Sequence, residues 1–478
     1  MNAALDVAGA VPHRHTSDTE RTAMTTVTAP ARVTRHHPRA ALGVAMLGFF
    51  VVALDSQVVN VALPTIRTHL GGNLSALQWV VTGYTLSFSA LLLFGGTFSE
   101  RTGAKRAYRG GMVMFVAASA LCGIAPTLPV LVTARVLQGI GAALVTPTSL
   151  ALIRQEYANA AARTRAIAYW AMGGSVAAAA GPILGGALTE LDWRWIFFLN
   201  LPVGVVALVV LARVAPSPRR VVPFDLVGQV TAVLALAGLT FAVIEGPDLG
   251  YTAARVITGY GLAVLAGTVF VAAQARGTHP MVPLDLFRAR PVMIILVTAF
   301  VGMAAFYGLV FVQGLYFQQA RGLSPLSAGL LFLPMTGLVA VLNPLAARLA
   351  LRFGPVVPIV GGQIVLVAGL LAVALTPAET PPWVVALLMV PVGVGGSFTV
   401  PPLTSMLLDA VPGERAGTAS GVLNTARQVG GSLGVAAVGA VLAAQQNFMH
   451  GQRIGLLAVA VLVVATTLAS ATLRRPTA

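Results

Sequence analysis

Charged residues are scarce in this sequence, and acidic residues are the scarcer half. Only 9% of its 478 residues are charged, with 15 Asp and Glu against 30 Lys and Arg, while 57% are hydrophobic. A soluble domain carries about 25% charged residues, so the composition excludes an ordinary soluble protein and predicts an integral membrane protein. The net charge of +15 forms no basic face interleaved with aromatics, so nucleic-acid binding is not expected.

Cysteine is almost absent as well. The single cysteine, Cys122, excludes an intramolecular disulfide and leaves no zinc-type spacing. The histidines lie in predicted tails or loops, and the pair His36–His37 is better read as part of a solvated tail than as a metal site. The phosphate-binding pattern G-x-x-x-x-G-K-[ST] does not occur. We therefore predict no cofactor, no metal and no enzymatic activity, with the proton gradient as the energy source for any transport.

Long apolar runs dominate the rest of the chain. A crossing needs about 20 apolar residues, and this length divides the sequence into fourteen candidate spans joined by short loops. Residues 1–39 are polar and predict a disordered tail, with Met24 an alternative start. The spans are predicted at 40–66, 77–98, 107–125, 129–154, 163–188, 196–213, 224–245, 254–276, 290–317, 324–348, 354–376, 383–407, 417–443 and 453–473.

The distribution of basic residues gives an independent estimate of orientation. If the N-terminus is inside, the inner tails and loops hold 23 Arg and Lys and the outer loops hold 5. Cytoplasmic loops carry such an excess. We therefore predict a multi-pass protein of the cytoplasmic membrane with both termini in the cytoplasm.

The loop after the second span reads "GGTFSERTGAKRAYRGG". Its glycines are expected to allow a tight reversal and its charges to lie at the inner surface, which an ordinary positive-inside loop would also explain. The spacing resembles the signature loop of the major facilitator superfamily, with Glu100 for the usual Asp and Ala104 for the first basic residue. The resemblance implies that Glu100 pairs with basic groups and helix ends and helps to hold an outward-open state. The resemblance thus implies a gating loop that contains Gly96, Glu100, Arg101, Gly103, Lys105 and Arg106.

The fourth span contains "LVTARVLQGIGAAL", with a permanent cation at Arg135. Gln138 lies one turn further on the same face. This stretch resembles the superfamily motif R-x-x-Q-G-x-G-x-A at every fixed position. The resemblance implies that Arg135 takes part in proton transfer or sets the protonation of a nearby acid, whereas the alternative is a structural arginine that snorkels to the interface.

Further motifs resemble the fourteen-spanning drug:proton antiporter branch of that superfamily. They are "LDSQVVNVALPTI", "DWRWIFFLNLPVG" at 192–204 and "GTASGVLNTARQVGGSLG" at 417–434. The fifth span carries "AAAAGPILGGAL", which resembles the exporter motif G-P-x-x-G-G with Gly181, Pro182, Gly185 and Gly186. A purely structural Gly/Pro kink is the alternative there.

Asp55 is the one ionisable residue among the 27 residues between Arg39 and Arg67. A carboxylate at the centre of a membrane helix costs about 2.5–3.5 kcal/mol on insertion scales. Burial and a nearby arginine act on such an acid in opposite directions, which suits a group that loads and releases a proton. The resemblance implies this role, with attraction of cationic substrate, and Arg135 as counter-charge. A buried aspartate held only for packing is the alternative.

Other polar side chains are expected to contact the substrate. These are Gln57 and Asn60 on the first span, Gln138 on the fourth, and Arg427 with Gln428 on the thirteenth. No carboxylate lies inside spans nine to fourteen, which weakens the case for recognition of dications. Four aromatics could line a cavity or pack in the core: Phe306, Tyr307, Phe311 and Phe317.

The resemblance implies an all-α major-facilitator fold. An N-terminal six-helix bundle would occupy 40–215, two additional helices 216–280, a C-terminal six-helix bundle 281–473, and a short cytoplasmic tail 474–478. The implied function is proton-coupled efflux of hydrophobic, cationic or neutral small molecules by a monomer through alternating access. The alternatives are a uniporter or importer of a metabolite, and a membrane sensor or scaffold that transports nothing.

Overall fold

The computed structural model describes residues 37–219, 223–412 and 415–473, and these ranges form helices and contain no strand. A 3₁₀ turn at Leu284–Arg288 precedes α10, and a π-helical segment at Tyr316–Ala320 continues it. The α-helices are α1 (Pro38–Leu70), α2 (Leu74–Thr102), α3 (Ala104–Gly123), α4 (Leu128–Glu156), α5 (Ala160–Leu191), α6 (Trp195–Phe198), α7 (Asn200–Leu211), α8 (Leu226–Leu249), α9 (Ala254–Arg276), α10 (Arg290–Leu315), α11 (Pro325–Phe353), α12 (Val356–Ala374), α13 (Pro382–Asp409), α14 (Ala416–Ala443) and α15 (Phe448–Ala471).

Most helices extend by a few residues beyond one or both ends of the predicted spans, whereas α9 coincides with its span and α12 is shorter at both ends. The predicted tail 1–39 overlaps α1, which starts at Pro38, because a membrane helix continues into the interface beyond its apolar stretch. Residues 1–36, including Met24 and His36, and the tail 474–478 lie outside the described residues. The backbone N–H of His37 donates to Glu156 Oε2 at 3.1 Å, at the start of α1.

Twelve helices of the described ranges are long and apolar enough to cross a membrane. The multi-pass membrane protein is thus confirmed, but the count of fourteen spans is not. One of the two remaining candidates is α3, whose first two turns carry basic residues. The other is Trp195–Leu211, which is divided at Leu199 and is shorter than the twelve.

Polar caps mark where several helices begin. A side-chain oxygen accepts a backbone N–H two or three residues into the helix, which satisfies one of its free donors. The capping residues are Asn73 for α2, Asn159 for α5, Asp225 for α8, Ser324 for α11 and Asn447 for α15. Prolines, which can bend a helix, lie inside the helices at Pro64, Pro147, Pro182, Pro247, Pro334, Pro344, Pro391, Pro401 and Pro402.

Asp225 also ties the start of α8 to α9. Its Oδ1 accepts the backbone N–H of Gly228 at 2.7 Å, and its Oδ2 accepts the Gln274 amide and the backbone N–H of Met281. Burial raises the pKa of this carboxyl, but the three hydrogen bonds outweigh burial and leave its pKa below the ordinary value.

We call the face at which α1 begins and α2 ends the near face, and the opposite face the far face. We call α1 to α7 the first half of the chain and α10 to α15 the second half. Towards the far face, one hydrophobic core joins the two halves and contains Leu63 on α1, Phe317 and Leu370. Towards the near face the halves have separate cores, one around Tyr108 and one around Leu403. The halves therefore meet tightly on the far side and diverge on the near side.

Hydrogen bonds reinforce the contact on the far side. Gln318 Nε2 donates to the carbonyl of Val61 at 2.7 Å, and Gln78 Nε2 donates to the carbonyl of Ala436 at 2.8 Å. Each bond links a helix of the first half to a helix of the second.

Helix α8, which is paired with α9, packs on α2. Trp79 Nε1 donates to Glu245 Oε1 at 2.8 Å, and Ser75 Oγ donates to Asp248 Oδ2 at 2.6 Å. Near the other end, Gln229 Nε2 donates to the carbonyl of Ala90 at 2.7 Å. Polar contacts thus fix α8 along α2 at both ends.

Candidate functional site

Asp55 on α1 is completely buried and faces α4. Arg135 Nη1 donates to its Oδ2 in a short ion pair, and Gln138 Nε2 donates to its Oδ1 at 2.8 Å. Arg135 Nη1 also donates to Gln138 Oε1 at 2.8 Å, since residues three apart share a helix face. The two α4 side chains therefore hold the carboxylate as one unit.

A third donor comes from α7. Asn200 Nδ2 donates to Asp55 Oδ1 at 2.7 Å and to Ser119 Oγ at 2.9 Å. Ser119 in turn donates to the carbonyl of Phe197 at 2.8 Å. The amide oxygen of Asn200 is buried and has no hydrogen-bond partner within the described ranges. Four helices, α1, α3, α4 and α7, thus build the surroundings of one carboxylate.

Two further contacts fix Arg135. Its Nε donates to the carbonyl of Val80 at 3.1 Å, and its guanidinium lies 4.2 Å from the centre of the Tyr84 ring. Tyr84 is itself held by a hydrogen bond from its hydroxyl to the carbonyl of Val52 at 3.0 Å. A buried ion pair has an attraction that must offset the cost of removing both charges from water, and these contacts supply part of that offset.

The donor pattern defines what proton binding would require. Arg135, Gln138 and Asn200 all approach the Asp55 carboxylate with N–H donors, and a protonated carboxyl adds an O–H donor of its own. A proton on either oxygen would face a donor rather than an acceptor. Protonation is therefore tied to a rearrangement of Arg135, Gln138 or Asn200.

A cavity of about 450 Å³ lies between the two halves, within the range of about 300–1,000 Å³ for small-molecule sites. It is lined by the near-face parts of α1, α2, α4, α5 and α10 to α15. In the cavity wall the rings of Trp170 and Phe49 stack with their centres 4.0 Å apart. Phe88, Phe306 and Tyr307 add further aromatic surface. The surface of the cavity is mainly apolar, although many hydroxyl and amide side chains are interspersed in it.

The ion pair and the cavity are neighbours but do not form one chamber. Asp55, Arg135 and Gln138 are not among the residues that line the cavity, whereas Tyr84 is. Tyr84 presents its ring to Arg135 as well as to the cavity. Tyr84 therefore connects the buried charges to the wall of the space where a substrate would fit.

The predicted coupling and substrate residues occupy three different places. Asp55, Arg135 and Gln138 come together in the buried cluster. Gln57 and Arg427 line the cavity. Asn60 belongs to neither: it is buried, and its Nδ2 donates to the carbonyl of Ser56 on its own helix at 3.0 Å.

The predicted aromatic wall is divided in the same way. Phe306 and Tyr307 line the cavity, while Phe311 and Phe317 are completely buried in the far-side core.

A profile of the Major Facilitator Superfamily matches residues 45–435. The chain belongs to this family. Members are transporters, so the chain is a membrane transporter rather than an enzyme.

Curated relatives in this superfamily carry names that refer to drugs. The chain is 38% identical over 414 residues to the methylenomycin A resistance protein of Streptomyces coelicolor, covering 86% of this chain and 87% of the relative. It is 37% identical over 404 residues to the multidrug resistance protein Stp of Mycobacterium tuberculosis, covering 83% and 74%. It is 33% identical over 426 residues to the tetracenomycin C resistance and export protein of Streptomyces glaucescens, covering 87% and 78%.

Solved structures of transporters show the same fold. A peptide transporter POT in complex with sulfate superposes with a TM-score of 0.67 at 15% identity, covering 90% of this chain and 94% of that one. A bacterial homolog of the human lysosomal transporter Spinster, inward-facing and unoccupied, gives 0.63 at 16% identity, covering 91% and 97%.

Most of the superfamily's signature loop is helical, and only Gly103 lies between the end of α2 and the start of α3. Gly103 has φ +87° and closes the turn, so its conformation favours glycine. The prediction that Gly96 shares this reversal is wrong: Gly96 lies inside α2, and a side chain there would meet nothing within 4 Å. A single glycine with positive φ is enough to reverse the chain.

The charged residues of this loop contact the segment that connects α7 to α8. Lys105 donates through its backbone N–H to Ser217 Oγ at 3.0 Å, and its Nζ donates to the carbonyls of Ala212 and Val214. The Arg101 guanidinium lies 4.5 Å from the centre of the Phe224 ring.

Glu100 and Arg106 are exposed. No ion pair of Glu100 occurs within residues 37–219, 223–412 and 415–473, so the expected pairing with basic groups is not formed in this state of the chain.

The G-P-x-x-G-G motif joins α5 to a helix from each half. A Cβ on Gly185 would lie 2.8 Å from the carbonyl oxygen of Val58 on α1, and one on Gly186 would lie 2.6 Å from that of Pro325 on α11. Gly181 also faces α1, where a Cβ would meet the side chain of Gln57. Gly329 on α11 lies against the carbonyl oxygen of Pro182 on α5. Glycine is required at Gly185, Gly186 and Gly329 because a Cβ there would meet backbone atoms.

Sequence reasoning missed Asn200, Ser119 and Tyr84. Asn200 carried a usable signal, because it is the only polar side chain in the apolar run Trp195–Leu211. Ser119 and Tyr84 carried none, since small hydroxyl and aromatic residues are common in membrane helices.

Proposed function

We propose that this chain exports hydrophobic small molecules across the cytoplasmic membrane in exchange for protons, by alternating access. The observation that carries the proposal is a buried Asp55–Arg135 ion pair in contact with Tyr84, a residue that also lines the central cavity. Relatives named for resistance to methylenomycin A, tetracenomycin C and several drugs support a drug or antibiotic as cargo.

In the proposed cycle a proton neutralises Asp55 and so removes the partner of Arg135. The freed guanidinium then needs a new acceptor, and Tyr84 on its face transmits the shift to the cavity wall. Release of the proton on the other side of the membrane restores the ion pair. Cargo and proton thus alternate without sharing a binding pocket.

The proposed architecture has two six-helix bundles, with α8 and α9 as an additional pair. In this arrangement α3, 20 residues and about 30 Å long, and the α6–α7 segment also cross the membrane. The near face would be cytoplasmic, as the distribution of basic residues favours. The close contacts of Gly186 and Gly329 on the far side would then close the outward path.

Transport in proteoliposomes with an imposed pH gradient tests the coupling. We expect the wild type to accumulate a hydrophobic drug against its gradient. Asp55→Asn should lose this accumulation and keep drug exchange without a pH gradient, because the cavity is intact. Asp409→Asn, an exposed acid at the end of α13, is the matched control and should behave as wild type.

Two outcomes would reject the proposal. If the wild type moves drug equally with and without a pH gradient and never accumulates it, the chain is a uniporter. If Asp55→Asn confers the same drug resistance as wild type in a hypersensitive host, the ion pair is structural.

The single lysine offers a test of orientation. Lys105 is half-buried at the near face, and we expect a membrane-impermeant amine reagent to label its peptide in inside-out vesicles but not in intact cells. Lys105→Arg should lose that label. Labelling from intact cells would invert the proposed topology.

A further inference from the structure

The cavity carries one charged side chain, and it is a cation. Among the described residues that line it, Arg427 on α14 is the only Asp, Glu, Lys or Arg. Its Nε is buried without a hydrogen-bond partner, and none of the ion pairs in the described ranges includes it. A guanidinium has five N–H donors and no acceptor, so this one faces the cavity with capacity to bind a negative group.

No other charge along the described cavity wall compensates it. Asp55 is already paired with Arg135, and neither residue lines the cavity. A buried cation without a counter-ion is unfavourable in a membrane protein unless water or a ligand neutralises it. The electrostatics of the cavity therefore favour an anion and disfavour a second cation.

The side chains around Arg427 suit an acidic group on an apolar body. Asn424 and Gln428 line the cavity on the same helix, three residues before and one residue after Arg427. Tyr307 packs on α14 one turn away, where a Cβ on Gly431 would lie 2.8 Å from its ring. These groups can hold the oxygens of a carboxylate, while the remaining aromatic and aliphatic wall accepts a hydrophobic ring.

We infer that the cargo is an amphiphilic monoanion, such as a hydrophobic carboxylate, enolate or phenolate, anchored by Arg427. This inference rests on the proposed export function for its physiological meaning and replaces the expectation of a cationic drug. It assigns Gln428 and Asn424 as neighbouring hydrogen-bond partners, and the aromatic residues as the apolar half of the site.

Binding to the intact chain in nanodiscs tests the inference without any transport step. Tritiated naphthylacetate is the probe, with naphthylacetamide and naphthylmethylammonium as competitors that share its ring and differ in charge. Empty nanodiscs correct for partition into lipid. We expect naphthylacetate to bind roughly ten- to a hundredfold more tightly than either competitor, as for a hydrogen-bonded charge pair.

The variants separate the anchor from the rest of the cavity. Arg427→Gln should lose this preference and leave naphthylacetamide binding unchanged, while Arg427→Lys should keep part of it. Arg255→Gln is the matched control, because Arg255 is exposed at the start of α9. If Arg427→Gln does not fold, the ranking of the three probes on wild type and on Arg427→Lys still decides.

The inference fails if the ammonium or the amide binds as tightly as naphthylacetate, or if Arg427→Gln keeps the preference for the acid. Binding measurements on Asp55→Asn distinguish a failure of this inference from a failure of the proposed proton coupling. An anion preference retained in Asp55→Asn, with no proton-coupled transport by wild type, would reject coupling alone. Coupled transport together with an ammonium preference would reject the anion site alone.

Discussion

Two adjacent glycines on α3 allow the packing of this helix to be measured against an internal control. Gly111 faces α4: a Cβ there would lie 2.6 Å from Leu144 Cβ, 3.0 Å from the carbonyl oxygen of Gly141 and 3.2 Å from the backbone N of Val145. Gly110 is exposed, and a Cβ there meets nothing within 4 Å. We therefore compare Gly111→Ala with Gly110→Ala.

The structure gives the size of the expected difference. Carbon atoms in contact prefer about 3.5–4.0 Å, so Gly111→Ala requires α3 and α4 to separate by about 1 Å. Overpacking of this kind costs about 1–3 kcal/mol. Alanine also gains up to about 1 kcal/mol over glycine in helix propensity, but both variants share that gain. The difference between them isolates the packing cost, and Gly110→Ala should be neutral or slightly more stable than wild type.

The single cysteine provides the assay. Cys122 is completely buried on the same helix, so a thiol-reactive fluorogenic dye reports unfolding only when this region opens. At about 2–4 °C per kcal/mol for a unit of about 150–250 residues, such as α1 to α7, the apparent Tm of Gly111→Ala should lie roughly 2–12 °C below that of Gly110→Ala. Equal melting temperatures, or a lower one for Gly110→Ala, would refute the close packing of α3 on α4.

Three individual contacts give further predictions. Asn200→Leu removes one donor to Asp55 and should lower pH-gradient-driven transport about tenfold while drug-binding affinity stays unchanged; equal transport rates would exclude Asn200 from coupling. Trp79→Phe removes the hydrogen bond to Glu245 and should lower the free energy of unfolding by about 1 kcal/mol, measured by the same thiol assay; an unchanged value would contradict a contribution of that bond. The lowered pKa of Asp225 means that its ionised form stabilises the fold above the ordinary pKa of about 3.9, and that this stability is lost as the pH falls through the lowered value. The apparent Tm of wild type should therefore fall more steeply below about pH 5 than that of Asp225→Asn, and parallel curves would count against this linkage.

Properties carried by local sequence were predictable. Hydropathy is a sum over neighbouring residues, so the apolar runs predicted a multi-pass helical membrane protein, and the twelve long apolar helices of the described ranges agree with this. The fourteen-span count depends on two marginal segments, where three basic residues in α3 and a break at Leu199 lower the local signal.

The grouping of side chains into sites was less predictable. Asp55 and Gln57 are two residues apart, which on an α-helix places them about 200° apart around the axis. They were expected to share a substrate site, yet Gln57 lines the cavity and Asp55 faces α4. Helical periodicity alone excluded a shared site, but it did not say which of the two would face the cavity.

By itself the sequence determined the membrane setting, the superfamily motifs and the need of Asp55 for a partner, because each depends on composition or spacing along one helix. Only the tertiary structure decided that Asn200 and Ser119 join Asp55, that Tyr84 contacts the ion pair and lines the cavity, and that Arg427 faces the cavity unpaired. The bonds of Asn200 alone join residues 81 and 145 positions apart, and such contacts depend on how each helix is rotated against its neighbours. That rotation is set by close packing of many small residues at once, which no single stretch of sequence encodes.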